Sequence, residues 1–445
     1  MSPTLTLPVE TIEHAISLLR GDIPSLAACS LTCHALLPIS RVHLWHEVVL
    51  PIELDAYGSH SARVEAFIRI MNRNRNIAAY IRSVVVCPSP GYSYMDGIEF
   101  DGVTWATLGA QLPAIRSLRL RDILLLDLAE LVPIIRDRPT LEALILDNVG
   151  MMSDDNYSFW PPSLAQPATG AAAVGGQPSR WALRTLSVFG NAIPMKELSR
   201  LVLFLEQSTE VMSLEALDIC CAMAPPEESP RRPVVWPGIP SFGASLRHFG
   251  ITFRDTKPQA RIAVDPVGRE HVQRVISDLP RCISLRSLRL GYERTGAFML
   301  GALLPSEAGT SSGYTPTPFF LELLVDVLSA SGPAPLPLLE ELTLVFGGPP
   351  TWLAGFEAAF TRLADVLVGD HGGAEGAPGS TTARRYPRFS RLDVRTISLS
   401  TLTPFFEDGD VEQHRGRLEM ERLYMILPML AGFVEAGVHV EVTCE

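Results

Sequence analysis

A six-residue spelling, apolar-x-x-apolar-x-apolar, recurs along most of the chain. It reads IRSVVV from Ile81, IRSLRL from Ile115, LEALIL from Leu141, LRTLSV from Leu183, LEALDI from Leu214, LRHFGI from Leu246, LRSLRL from Leu285 and LEELTL from Leu339, with a looser FSRLDV from Phe389. Successive side chains of a strand point to opposite faces, so the last two apolar positions of each copy share one face of a short strand. The copies start 34, 26, 42, 31, 32, 39, 54 and 50 residues apart, which is too uneven for a regular array. Between them lie stretches with helical periodicity: Arg63 to Asn76, Leu125 to Asp137, Met195 to Gln207, His271 to Leu279, Phe319 to Leu328 and Trp352 to Val368.

Strand then helix, repeated, with parallel strands side by side and helices outside, predicts an α/β fold built as an irregular leucine-rich-repeat-like solenoid. The Asn or Cys that often follows such a strand is approached only at Asn148 and at Cys220-Cys221, so the repeats are degenerate. Gly-, Pro-, Ser- and Ala-rich inserts over 163–180, 224–240, 305–318 and 369–385 have little to bury and are expected to form mobile loops.

The first fifty residues follow another pattern. Ile12, Ile16 and Leu19 recur at helical spacing after Leu7-Pro8, and Gly21-Asp22 ends that helix. Pro24 suits the first turn of a second helix with Leu26, Cys29 and Leu31, and a third runs to Leu44 and Trp45, bent or restarted at Pro38. Cys29, Cys33, His34, His43 and His46 fall in this region and raise a zinc site. The apolar residues interleaved with them, and Pro38 dividing them, fit a small core better than a tetrahedral cage. No metal is expected.

These residues resemble a family. Leu7-Pro8-x-Glu10-x-Ile12, then Leu26 with Ala28-Cys29-Ser30-Leu31-Thr32-Cys33, then Leu36-Leu37-Pro38 and Arg41-x-x-Leu44-Trp45, are similar to the F-box, in the form common in fungal proteins. The resemblance covers residues 5 to 50. It implies the substrate receptor of a cullin-based (SCF-type) ubiquitin ligase, whose F-box helices bind a small adaptor subunit while the repeats bind a substrate protein. Leu7, Pro8, Ile12, Ile16, Leu26, Leu31, Leu36 and Trp45 match its apolar positions, which either contact the adaptor or hold the helices together. The implied domains are an F-box over 1–50, a link over 51–61 and the repeat domain over 62–445. The alternative is an interaction scaffold whose N-terminal helices only cap the solenoid.

Strand residues alternating with the buried pair face the concave side of such an array and make a polar trough for a protein segment. Arg119, Arg121, Asp147, Asp218 and Arg289 are the substrate-binding candidates, arginine being enriched at interface hot spots. The net charge of −12 argues against a nucleic-acid backbone or an anionic membrane as partner. No apolar run reaches the length of a bilayer span; LYMILPMLAGFV, from Leu423 to Val434, suits a core helix. Seven scattered cysteines fit reduced thiols in cytoplasm or nucleus. A nucleophile elbow, a phosphate loop and a His-Glu-x-x-His are all lacking, and His371-Gly372-Gly373 has no serine elbow behind it. The expectation is therefore a non-catalytic chain without cofactor.

Overall fold

The computed structural model describes residues 7–52, 62–89, 108–125, 140–151, 182–194, 214–223, 241–255, 266–294, 319–330, 333–347, 356–369, 384–396, 424 and 426–444. The chain divides into two units, residues 1–191 with 211–213, and residues 192–210 with 214–445.

The first unit opens with helices α1 (Val9–Ser17), α2 (Ile23–Thr32) and α3 (Leu36–Leu44). Gly21, at φ +99°, makes the turn between α1 and α2 in the left-handed region that glycine enters without steric cost. Asp22 then caps α2: its carboxylate accepts from the Ser25 amide at 3.1 Å and the Ser25 hydroxyl at 2.6 Å. Pro24 sits in that first turn, where a missing N–H is harmless. Ile16 and Leu26 are buried where the helices meet.

Next come β1 (Glu47–Ile52), α4 (Ala62–Arg73), α5 (Arg75–Ala78), β2 (Ser83–Pro88), β3 (Ser117–Arg121), β4 (Leu124–Leu125), β5 (Ala143–Asp147), β6 (Gly150–Met151) and β7 (Thr185–Pro194). The sheet order is β1-β2-β3-β5-β7, every pair parallel, with β4 and β6 forming a small parallel ladder beside it. Val84, Val86, Leu118, Leu120, Leu144, Leu146, Leu186 and Val188 form two buried rows, with the anchors Ile81, Ile115, Leu141 and Leu183 behind them. Cutting such a leucine to alanine costs about 2–5 kcal/mol. After β3 and β5 the chain turns on Asp122 (φ +55°) and Asn148 (φ +54°), residue types that tolerate this conformation. The Asn148 amide donates to the Asp122 carboxylate at 2.6 Å, linking the two turns. Ile123 and Val149 then bury themselves where a regular repeat carries its asparagine, which makes these two repeats degenerate.

The second unit holds β8 (Ala216–Met223), β9 (His248–Asp255), α6 (Pro266–Asp278), β10 (Ser287–Arg294), α7 (Phe319–Ser329), β11 (Glu341–Gly347), α8 (Glu357–Val368), β12 (Arg391–Thr396), α9 (Ala431–Glu435) and β13 (His439–Cys444). Its strands follow sequence order, all parallel. Val275 of α6, Leu324 and Leu328 of α7, Phe360, Leu363 and Leu367 of α8 and Phe433 of α9 are buried behind the strands. Phe346 of β11 packs 5.5 Å from both Phe320 and Phe356, and the buried Tyr386 hydroxyl donates to the Leu328 carbonyl at 2.9 Å. Burial pushes that phenol up to about 12.

All nine copies of the spelling are strands, each starting two residues after its anchor. Beyond the small β4–β6 ladder, two further strands, β1 and β13, were not anticipated. β1 crosses the expected boundary at residue 50, and the first residues of the expected link, Pro51 and Ile52, pair with Cys87 and Pro88. Its register sets Glu47 against Ser83, so Trp45 stands in the first strand where Ile81 stands in the next, and Trp45-x-x-Val48-x-Leu50 is a tenth copy. β13 pairs Arg391 with His439, which sets Gly437 (φ +79°) against the anchor Phe389. The expected loops at 163–180, 224–240, 305–318 and most of 369–385, and the expected helices over 126–137 and 195–207, lie outside the described residues.

Candidate functional site

The N-terminal helices bury one set of apolar residues and leave another open. Ile16 and Leu26 are core, while Ile12, Leu36 and Trp45 are half-buried. Leu7 is 64% exposed, Pro8 is exposed, and Leu31 is 86% exposed. The set thus divides by burial: some of its residues pack the helices together and others face outward. Ile23, absent from the sequence-derived set, is 52% exposed. Pro24, Ala28 and Leu31 stand at i, i+4 and i+7, one stripe of α2, and all three are exposed. An amphipathic helix normally turns such a stripe inward; here Leu26, on the other side, takes that place.

Arg20 fixes the start of β1. Its Nη2 lies 2.9 Å from Nδ1 and 3.0 Å from Nε2 of His46. The His46 carbonyl receives the Arg82 and Ser83 amides at 3.0 and 2.9 Å. Partial burial, then the Arg20 charge, hold the imidazole below its ordinary range. The thiols of Cys29 (half-buried) and Cys33 (exposed) are free. Among the described residues no group of three or more His, Cys, Asp or Glu is placed to hold a metal ion, and no helix is long and apolar enough to cross a membrane.

On the first unit's strand face the candidates Arg119 and Asp147 form an ion pair, with Nε donating to Oδ2 at 3.1 Å, and Arg119 lies over the Phe189 ring at 5.9 Å. Arg121 sits at the strand end, 3.7 Å from the Asp122 carboxylate. Arg119 is thus already engaged by its own neighbours.

The second unit's strand face carries a depression of about 330 Å³, lined from five successive strands by Asp218, His248, Ser287, Arg289, Glu341, Leu342, Thr343, Arg391, Asp393 and Arg395. The registers explain the lining. His248, Ser287, Glu341 and Arg391 share one row, and Asp218, Gly250, Arg289, Thr343 and Asp393 the next. Asp218 accepts from Arg289 Nη1 at 3.4 Å and lies 3.8 Å from His248 Nε2. Asp393 accepts from Arg395 Nε at 2.8 Å, and the Thr443 hydroxyl lies 3.4 Å from its other oxygen. Arg391 pairs with Glu441 at 2.6 Å.

This face is less open than strand alternation alone implies. Asp393 is only 3% exposed, and Cys220, Gly250, Thr252, Gly291 and Val345 are buried. Of the substrate-binding candidates, Asp218 and Arg289 belong to the depression, while Arg119, Arg121 and Asp147 belong to the first unit. His248, Ser287, Glu341, Leu342, Thr343, Arg391, Asp393 and Arg395 complete the lining; all but Leu342 were readable as facing residues, but nothing in their spelling sets them above their neighbours.

No family model matches the chain, and no curated protein matches it in sequence. Among solved structures it is similar to the crystal structure of an internalin (inlF) from Listeria monocytogenes str. 4b F2365, with 10% identity, a TM-score of 0.31, and coverage of 100% of this chain and 94% of that one. A superposition that loose bears on neither function nor partner. The strand registers and buried rows by themselves define the class: an α/β array of leucine-rich-repeat type with parallel strands, outer helices and a helical N-terminal region.

Proposed function

We propose that the chain is a non-catalytic protein-interaction scaffold, with its strand face holding a substrate protein and its N-terminal helices acting as an F-box. In this reading those helices bind the small adaptor of a cullin-based ubiquitin ligase, in cytoplasm or nucleus. One observation carries the docking half: α2 turns the stripe Pro24, Ala28 and Leu31 outward, with Ile23 and Leu7 also open, while Leu26 holds the helices together. A helix that only closed the end of an array would bury that stripe against the first repeat. Leu7, Pro8 and Leu31, with Ile23, are the adaptor contacts; Ile16 and Leu26 support them from behind. The docking unit lies within residues 1–50 and the repeat body behind it.

A second reading keeps one observation of its own. β1 follows α3 directly and pairs with β2, so these helices are joined to the array by a strand rather than by a flexible link. That favours a cap, and with it a scaffold outside the ubiquitin system.

Co-expression of the full chain with the adaptor, followed by size-exclusion chromatography, separates the two. The F-box reading expects co-elution by the wild type, and none by a Leu7→Asp/Leu31→Asp variant that melts at the same temperature. Independent elution of both folded proteins would establish the cap. Truncation at Ala62 is unsuitable, because it removes β1 and opens the edge of β2.

A further inference from the structure

The charges in the second unit's depression are unequally spent. Three guanidinium groups, Arg289, Arg391 and Arg395, face three carboxylates, Asp218, Glu341 and Asp393. The lining is balanced in sign and offers no field for a nucleic-acid backbone or another polyanion. Most of these groups are engaged within the protein: Arg391 by Glu441, and Arg395 and Thr443 by Asp393. Two are not. The Glu341 carboxylate is exposed and has no partner among the described residues. Arg289 has one long contact, to Asp218 at 3.4 Å, and its buried Nε has no acceptor at all. A guanidinium carries several N–H donors, and a buried one left without an acceptor is unfavourable.

Space lies beside that arginine. In its row Arg289 is flanked on one side by Gly250, over whose backbone the Asp218 carboxylate lies, and on the other by Thr343, whose short side chain leaves room. Glu341 stands one strand over and one row down, since Ser287 pairs with Glu341 and Arg289 with Thr343. Two residues along a strand and one strand across place the two positions about 8 Å apart. Same-face side chains of an extended segment, at i and i+2, are about 7 Å apart.

We infer that this depression takes an extended protein segment of the form basic-x-acidic, its Lys or Arg against Glu341 and its Asp or Glu against Arg289. The inference rests on the reading that the strand face binds protein segments, and supplies the chemistry of the segment. The carboxylate gives the Arg289 fork the acceptor it lacks, a charge-assisted bond. The basic side chain meets the one carboxylate of the lining that no described residue holds. A segment placed with its acid against Glu341 and its base against Arg289 meets repulsion at both positions.

A random linear peptide library displayed on phage, selected on the purified full chain, is the test. Wild type is expected to enrich basic-x-acidic peptides, and Glu341→Lys, a surface change with the melting temperature as its control, to enrich acidic-x-acidic ones. By fluorescence anisotropy a wild-type peptide should bind Glu341→Lys at least tenfold more weakly, and its base-to-acid counterpart should restore binding. Thr343→Tyr, which fills the depression, should abolish both. Peptides lost with Thr343→Tyr but indifferent to Glu341→Lys would overturn the inference and leave the strand-face reading standing. Peptides indifferent to both, or no enrichment, would overturn both.

Discussion

Asp218 on β8 reaches Arg289 on β10 across the bare backbone of Gly250, the residue between them on β9, with 3.4 Å from Oδ2 to Nη1. A Cβ at position 250 would lie 2.6 Å from the Asp218 Cγ, closer than carbon atoms pack. Gly250→Ala must therefore push Asp218 aside and break the pair, for a loss of about 1–3 kcal/mol in urea unfolding. In an Asp218→Ala background the same change should cost under about 1 kcal/mol. Equal costs in the two backgrounds would show that the glycine is not there for Asp218.

The helices offer a contrast within one element. Leu26→Ala removes a fully buried side chain and should cost about 2–5 kcal/mol, whereas Leu31→Ala should stay within about 0.5 kcal/mol of wild type. A large loss at Leu31 would mean that its side chain is covered in solution.

His46 makes the N-terminal contact pH-sensitive. Its folded value lies below the ordinary imidazole value, so as pH falls through about 6.5 the unfolded chain takes up a proton that the folded chain resists. The contribution is whole above that point and lost below it, until the folded ring also titrates. The wild type should lose more melting temperature between pH 7.5 and 5.5 than His46→Gln, and parallel losses would remove His46 from this account.

Thiol chemistry reads the core directly. Burial, and then the neighbouring Cys220, hold the Cys221 thiol far above its ordinary range, and burial followed by Asp278 pushes Cys282 up to about 12. Alkylation of native protein at pH 8, mapped by peptide mass spectrometry, should modify Cys29 and Cys33 early and Cys221 and Cys282 only after unfolding. Early labelling of Cys282 would contradict its full burial.

Much of the strand plan was legible because each copy carries a leucine-like anchor whose burial leaves one face to choose. Leu141, Leu144 and Leu146 show the pattern in full: all are at most 1% exposed. β1 escaped because its anchor, Trp45, also completes a helix pattern, and Pro51 and the exposed Val49 blur its alternation. β13 escaped because Gly437 stands where an apolar anchor would announce it. The facing residues were legible by parity alone. Which of them form a depression was not, since that depends on Gly250 admitting Asp218 and on Asp393 sinking to 3% exposure, relations between strands more than thirty residues apart in the chain.

Hydrogen–deuterium exchange of the full chain, alone and with the adaptor subunit, tests the docking claim most directly. The account predicts new protection in peptides covering α1 and α2, centred on Leu7 to Ile12 and Ile23 to Leu31, with β2 to β13 unchanged. Exchange that is identical with and without adaptor, or protection confined to the strands, would contradict it.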